Sequence, residues 1–293
     1  MTNSLYIVDV FTDTRYAGNP LAVVVNEPSL SEEKMQAIAA EMNFSETAFL
    51  TPRAASDGGF EVQIYTPARK IVFAGHPILG TATILREHFH SEHLTSLQLN
   101  LSSGPMVVRF EAWAGRETAW FDAPTIHSGQ ICDRRAIAAA LGIEPDDIET
   151  STPVQQMSAG TSALIVPLRS LDALRRARLD LKAFAPLIRL GLPPLVYLFC
   201  WETRIPTNTL SARFFFEAHG VREDPATGNG AAFLGAYLLE HKQLRSADSV
   251  LQIEQGYEVG RPSLVLLRVG TVLDQRRISI GGCVVATVRG ALA

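Results

Sequence analysis

Cysteine is scarce in this chain: Cys132, Cys200 and Cys283 are the only three in 293 residues, far apart and without a Cys-x-x-Cys pairing. That excludes a disulfide framework and a dithiol redox motif, and it fits a reducing compartment. Long apolar runs are missing as well. No stretch approaches the roughly 18 apolar residues of a membrane-spanning helix. The start, Met1-Thr2-Asn3-Ser4-Leu5-Tyr6, lacks the basic beginning and apolar centre of a signal peptide. The chain is expected to be soluble and cytoplasmic, without a membrane partner. An excess of one charge is also lacking: 26 basic and 30 acidic residues are well mixed and leave a net charge of −4, so no nucleic-acid face is expected. There is no phosphate loop ending in Gly-Lys-Ser/Thr, no dinucleotide fingerprint and no nucleophile elbow. His88, His90 and His93 cluster without a carboxylate motif to complete a site, so no metal is expected. Arg175-Arg176-Ala177-Arg178 reads as a solvated helix face.

What is present is a hydrophobic fraction of 47% in a chain long enough for two ordinary cores. Phe73-Ala74-Gly75-His76-Pro77 reads as a glycine turn feeding a helix, with Pro77 suited to the first turn, where its missing N–H costs nothing. Ile78 to Leu85 has hardly a polar face, which suits a helix enclosed by protein. The N–H groups and dipole at such a helix start favour an anion, for example a carboxylate, with His76 beside it. Around this helix the first half alternates as strands: Leu5 to Phe11, Leu21 to Val25 after a loop through Gly18-Asn19-Pro20, a turn into a strand over Phe44 to Leu50, then Gly59 to Thr66, Leu94 to Leu101, Met106 to Glu111 and Thr118 to Phe121. A helix capped by Ser31 or Ser29 and ending near Asn43 interrupts them.

The plan then repeats. Gly115 to Gly129 reads as a crossing into a second unit, and Asp133 caps a short helix that stops at Gly142. Ala163 to Leu168, Pro194 to Cys200 and Ser211 to Phe216 read as strands, and Leu171 to Leu190 as helical with a break near Pro186. A second glycine turn, Thr227-Gly228-Asn229, answers Ala74-Gly75-His76 and opens a second mostly apolar helix. Strands at Ser249 to Glu254, Ser263 to Val269 and Arg277 to Ile280 follow, and Val284 to Val288 can rejoin either half. Two helix starts facing one another across a cleft would hold a small anionic substrate.

Several ordered motifs carry a family resemblance. They are Asp9-Val10-Phe11 with Gly18-Asn19-Pro20-Leu21-Ala22-Val23, Met42 to Phe49, Tyr65-Thr66-Pro67, Phe73-Ala74-Gly75-His76-Pro77, Glu223 to Asn229 and Gln255 to Ser263. With these the chain resembles the phenazine-biosynthesis PhzF-like isomerases, relatives of diaminopimelate epimerase. The resemblance implies an α+β fold of two similar domains, each a barrel-like mixed sheet around a central helix. They would comprise 1–118 plus 282–293, with a central helix at about 77–90, and 119–281, with a central helix at about 228–242. It also implies a homodimer and cofactor-independent proton movement on a small carboxylated substrate, cyclic or an aromatic precursor. By motif the catalytic residues would be Glu46, His76 and Asp224, with Glu46 carrying the proton. Asn19, Ser45, Gly75, Gly228 and Asn229 would bind substrate. The chain departs from the family pattern at Lys70, where many members have glutamate, and at Phe216-Glu217, where Ser-Pro is common; both bear on the substrate more than on the fold.

The residue types fit that chemistry. Taking a carbon-bound proton near neutral pH needs a carboxylate partly closed off from water, and Glu46 opens an apolar strand. His76 can orient Glu46 or donate to developing negative charge. Asp224, beside a helix start, has a structural role open to it as well. An amino-acid epimerase or racemase using two cysteines is the second enzyme reading, which the placement of the three cysteines disfavours. A non-catalytic binding protein on the same scaffold is the third.

Overall fold

In the computed structural model, which describes residues 3–90, 93–216, 223–244, 250–272 and 275–293, two compact units form. Unit 1 is Met1–Asp122 with Gly281–Ala293, and unit 2 is Ala123–Ile280. The architecture is α+β.

In unit 1 the alternating apolar runs become β1 (Ser4–Val10), β2 (Asn19–Val25), β3 (Thr47–Ala54), β4 (Phe60–Tyr65), the short β5 (Lys70–Ile71), β6 (Ser96–Leu101), β7 (Gly104–Trp113) and β8 (Arg116–Asp122). Helix α1 (Glu32–Met42) precedes β3, and α2 (Gly75–Phe89) follows β5. Strand β2 runs antiparallel to β1 and parallel to β3, and β4 is antiparallel to β3 and parallel to β6. The order β1, β2, β3, β4, β6, β7, β8 curls around α2, which packs against β1, β2, β3, β6, β7 and β8. Every residue of α2 from Gly75 to Arg86 is buried, as expected for a helix with no polar face. Ser31 caps α1, accepting from the Lys34 N–H at 3.3 Å.

Unit 2 contains β9 (His127–Cys132), α3 (Arg134–Leu141), β10 (Val154–Ala159), β11 (Thr161–Pro167), α4 (Leu171–Arg176), α5 (Leu181–Arg189), β12 (Leu195–Cys200), β13 (Leu210–Phe215), β14 (Glu223–Asp224), α6 (Gly228–Glu240), β15 (Val250–Gln255) and β16 (Ser263–Val272). Its strands pair in the order β9, β10, β11, β12, β13, β15, β16. Helix α6 lies against β10, β11 and β16. A second core forms where α3, α4 and α5 cover the other face of β11 and β12, through Ile137, Leu141, Leu174, Phe184, Val196 and Leu198. After β17 (Gln275–Gly282), the last strand β18 (Val284–Ala291) returns to unit 1 and runs antiparallel to β1.

Two expectations need correction. Leu171 to Leu190 is broken at 177–180, not near Pro186, which sits inside α5. The reason is competition for donors: the N–H groups of Arg178 and Asp180 bond to Leu141 O at 2.8 Å and Ala140 O at 2.9 Å, satisfying the end of α3. The crossing Gly115 to Gly129 is largely strand, taken up by β8 and the start of β9. Expected residues Glu217, Arg222 and Ser249 lie outside the described residues.

Candidate active site

In unit 1 the site begins with two turns that set the strand starts. Gly18 adopts φ +66°, and a Cβ there would overlap the Val10 carbonyl and the Thr12 side chain, so only glycine fits. The preceding loop is pinned by the buried Asp9 carboxylate, which accepts the Tyr16 N–H at 2.6 Å. This delivers Asn19, fully buried, to the first position of β2. The second turn follows α1, where Asn43 takes a left-handed conformation with its N–H on Ala39 O, and the chain turns through Ser45 and Glu46 into β3. Because Ala22 of β2 pairs in parallel with Thr47 of β3, the starts of both strands lie at one end of the sheet.

The N-terminus of α2 arrives at that same end. Ala74 is extended and supplies no side-chain cap, and the helix begins at Gly75, two residues earlier than Pro77 would suggest. His76 is 4% exposed. Its Nε2 lies 3.5 Å from Glu46 Oε2, and its Nδ1 lies 3.4 Å from Asn19 Nδ2. The Ser45 hydroxyl donates to Asn19 Oδ1 at 3.3 Å. Burial pushes His76 down to about 3. Its contact with Glu46 is therefore that of a neutral imidazole with a carboxyl group, and the pair is not an ion pair at neutral pH. The Glu46 side chain is 13% accessible, which supplies the shielding expected of it.

In unit 2, Asp224 lies on β14 opposite Phe214 of β13, which in turn lies opposite Tyr197 of β12. These three side chains share one sheet face. The Thr227 hydroxyl donates to the Asp224 carboxylate. The buried Gln255 carboxamide ties this corner together: Nε2 donates to Asp224 O at 2.9 Å and to Thr227 Oγ1 at 3.2 Å, and Oε1 accepts from the Thr227 N–H at 3.4 Å. Helix α6 starts at Gly228, with Thr227 as N-cap residue giving no side-chain cap bond. Gly228 is buried and Asn229 partly so. The Tyr197 ring lies so close to Gly230 that a Cβ there would overlap it. The Tyr197 hydroxyl is buried with no hydrogen-bond partner among the described residues, and burial, then the nearby Asp224 charge, raises its pKa.

Unit 1 therefore brings together Asn19, Ser45, Glu46, Gly75 and His76, and unit 2 brings together Asp224, Gly228 and Asn229. The sequence points to Thr227 only as part of the second glycine turn and assigns no role to Gln255 or Tyr197. Gln255 heads the Gln255 to Ser263 motif, the one signal that pointed toward it. Lys70 is engaged with Glu32 of α1 at 2.7 Å. Phe216 packs edge-on against Phe214. The thiols stay protonated at neutral pH: burial raises Cys132 and Cys283 and pushes Cys200 up to about 12. Among the described residues no group of three His, Cys, Asp or Glu side chains is arranged to hold a metal ion.

A family model for phenazine biosynthesis-like proteins, PhzC-PhzF, matches residues 8–290. The chain belongs to this family. It is 32% identical over 289 residues to the trans-2,3-dihydro-3-hydroxyanthranilate isomerase of Pseudomonas chlororaphis, covering 98% of each chain. It is 34% identical over 302 residues to an uncharacterized isomerase of Mesorhizobium japonicum, covering 99% of each. Among solved structures, the PhzF-family phenazine biosynthesis protein of Bacillus anthracis superposes with a TM-score of 0.91 at 25% identity, covering 100% of this chain and 99% of that one. A probable proline racemase from Agrobacterium radiobacter matches at TM-score 0.62 and 12% identity, covering 100% and 93%, a likeness of fold alone. The fold is thus that of the diaminopimelate epimerase-like group, and the family is one of isomerases.

Proposed function

We propose that this chain is a cofactor-independent isomerase that moves a proton between carbons of a small carboxylated substrate, with Glu46 as the proton carrier. The observation that carries the reading is the Glu46 carboxyl group, 13% accessible, 3.5 Å from a buried, neutral His76. A shielded carboxylate is a stronger base than one in water, and the same group, once protonated, returns the proton as an acid. Neutral His76 acts as a hydrogen-bond donor to Glu46 or to negative charge developing on the substrate. Asp224 is the third acting side chain, held by Thr227 and Gln255. Backbone N–H groups at the start of α2, around Gly75, bind the substrate carboxylate, where the helix dipole favours an anion; Gly228 and Asn229 give α6 a start of the same kind. Asn19 and Ser45 complete the substrate surroundings. By relation to the Pseudomonas enzyme, the substrate class is a cyclic, aromatic-precursor carboxylate.

The test is a thermal-shift screen of small cyclic and aromatic carboxylates, trans-2,3-dihydro-3-hydroxyanthranilate included, followed by NMR of each stabilising compound with the protein in D2O. The reading predicts a hit whose carbon-bound hydrogen is relocated or exchanged. Deuterium entering only the α-carbon of a free amino acid would contradict it in favour of an epimerase. Stabilising hits that never lose a carbon-bound hydrogen would contradict it in favour of a binding protein.

A further inference from the structure

His76 is a neutral ring with two different neighbours, and which nitrogen carries its single proton decides what it can do. An imidazole with hydrogen on Nε2 donates toward Glu46; with hydrogen on Nδ1 it presents a lone pair there instead. Both faces of the ring are occupied. On one side Nε2 stands 3.5 Å from Glu46 Oε2, and on the other Nδ1 stands 3.4 Å from the Asn19 carboxamide nitrogen. Asn19 has no freedom of its own, because it is fully buried at the start of β2 and its Oδ1 accepts the Ser45 hydroxyl at 3.3 Å. With Oδ1 turned to that hydroxyl, the amide nitrogen is the atom that faces Nδ1, an arrangement in which the amide donates and Nδ1 accepts.

We infer that Asn19 is a positioning residue that fixes His76 in the Nε2–H tautomer, so that the ring is a permanent hydrogen-bond donor on the Glu46 side. Ser45 sets the amide, the amide sets the imidazole, and the imidazole aims its one proton at the carboxyl group. A carboxylate beside Nε2 demands the same tautomer, so the two sides of the ring agree. The order Ser45, Asn19, His76 joins the Ser45-Glu46, Gly18-Asn19-Pro20 and Gly75-His76-Pro77 motifs, and Nε2 stands 3.5 Å from Glu46 Oε2 without a hydrogen bond between the two atoms. Asn19 acts through His76, a role separate from any contact it makes with substrate. The inference deepens the proposed function, since it specifies how His76 serves Glu46, but the state of the ring is measurable without a substrate.

The experiment is long-range proton–nitrogen NMR of histidine side chains in the full-length, nitrogen-15-labelled protein at neutral pH, with His76→Gln identifying the His76 signals. In the wild type we expect Nε2 protonated and Nδ1 unprotonated. In Asn19→Asp, an isosteric change that replaces the donor with an acceptor, Nδ1 gains a proton; in Asn19→Ala, which removes the donor, a mixture of tautomers appears. A wild-type His76 with its proton on Nδ1 overturns the inference, as does an unchanged Nε2–H form in Asn19→Asp. A residue that only filled space would leave the tautomer unmoved. Once a turned-over substrate is in hand, Asn19→Asp lowers kcat at least about tenfold with KM changed less than about threefold. If the wild type turns over nothing, the proposed function fails while the nitrogen spectra still decide the tautomer.

Discussion

The Nε2 of His76 stands 3.5 Å from Glu46 Oε2, and His76 is sealed from water on a helix whose first twelve residues are all buried. Such an imidazole is kept neutral, which has a consequence for acid stability. In the unfolded chain it titrates near 6.5, in the fold at about 3, so between those values the unfolded state binds the extra proton. Stability therefore falls as pH drops through this window. At pH 5 the penalty is about 2 kcal/mol. Urea unfolding of wild type and His76→Gln at pH 7 and pH 5 checks it: the wild type loses about that much more than the variant between the two pH values.

Glu254 reinforces the acid sensitivity. Its buried carboxylate accepts from the N–H groups of Arg204 at 2.9 Å and Ile205 at 2.7 Å, from Asn208 at 2.9 Å and from Ser211 at 3.0 Å. Burial opposes ionisation, but these donors outweigh it and hold the group below its ordinary 4.5. Its contribution is present above that value and lost as pH falls below it. Glu254→Gln should destabilise the protein at pH 7 by about 2 kcal/mol and flatten the loss of stability below pH 4.5, measured by the same unfolding series.

Much of this arrangement was legible in the sequence, for physical reasons that differ by residue. The apolar helix after Gly75 and the one after Gly228 announced burial because neither has a polar face. Glu46, His76 and Asn19 sit in short motifs whose turns are local, so their neighbourhood followed from spacing and family resemblance. Gln255 did not, because its partners Asp224 and Thr227 lie 31 and 28 residues away and are reached only through the pairing of β13 with β15. Strand β9 was missed because His127-Ser128-Gly129-Gln130 is exposed and has no apolar alternation. The break before α5 was misplaced because the donors that cause it are captured by α3, a tertiary contact.

Gly230 is dictated by the Tyr197 ring. Gly230→Ala should cost about 2 kcal/mol through overlap with Tyr197. A smaller side chain at 197 removes the overlap, so a double-mutant cycle with Tyr197→Leu should show a favourable coupling of about 1 kcal/mol in unfolding experiments. Strict additivity would contradict the packing account.

Arg213 anchors Glu223, the residue before Asp224 on β14. It is buried, pairs with both oxygens of Glu223 at 3.0 and 2.7 Å, and donates to Leu174 O and Ala177 O, each at 2.8 Å. Arg213→Met leaves Glu223 buried without its cation and should cost about 4 kcal/mol. Arg213→Met combined with Glu223→Gln should recover part of that loss, as read by the unfolding midpoint.

Glu46 as proton carrier is tested most directly by single-turnover NMR of wild type and Glu46→Gln on the first cyclic carboxylate that the wild type isomerises. Glu46→Gln should turn over at least about 100-fold more slowly, with ligand affinity within about threefold and an unchanged fold. Turnover by Glu46→Gln at the wild-type rate would contradict it.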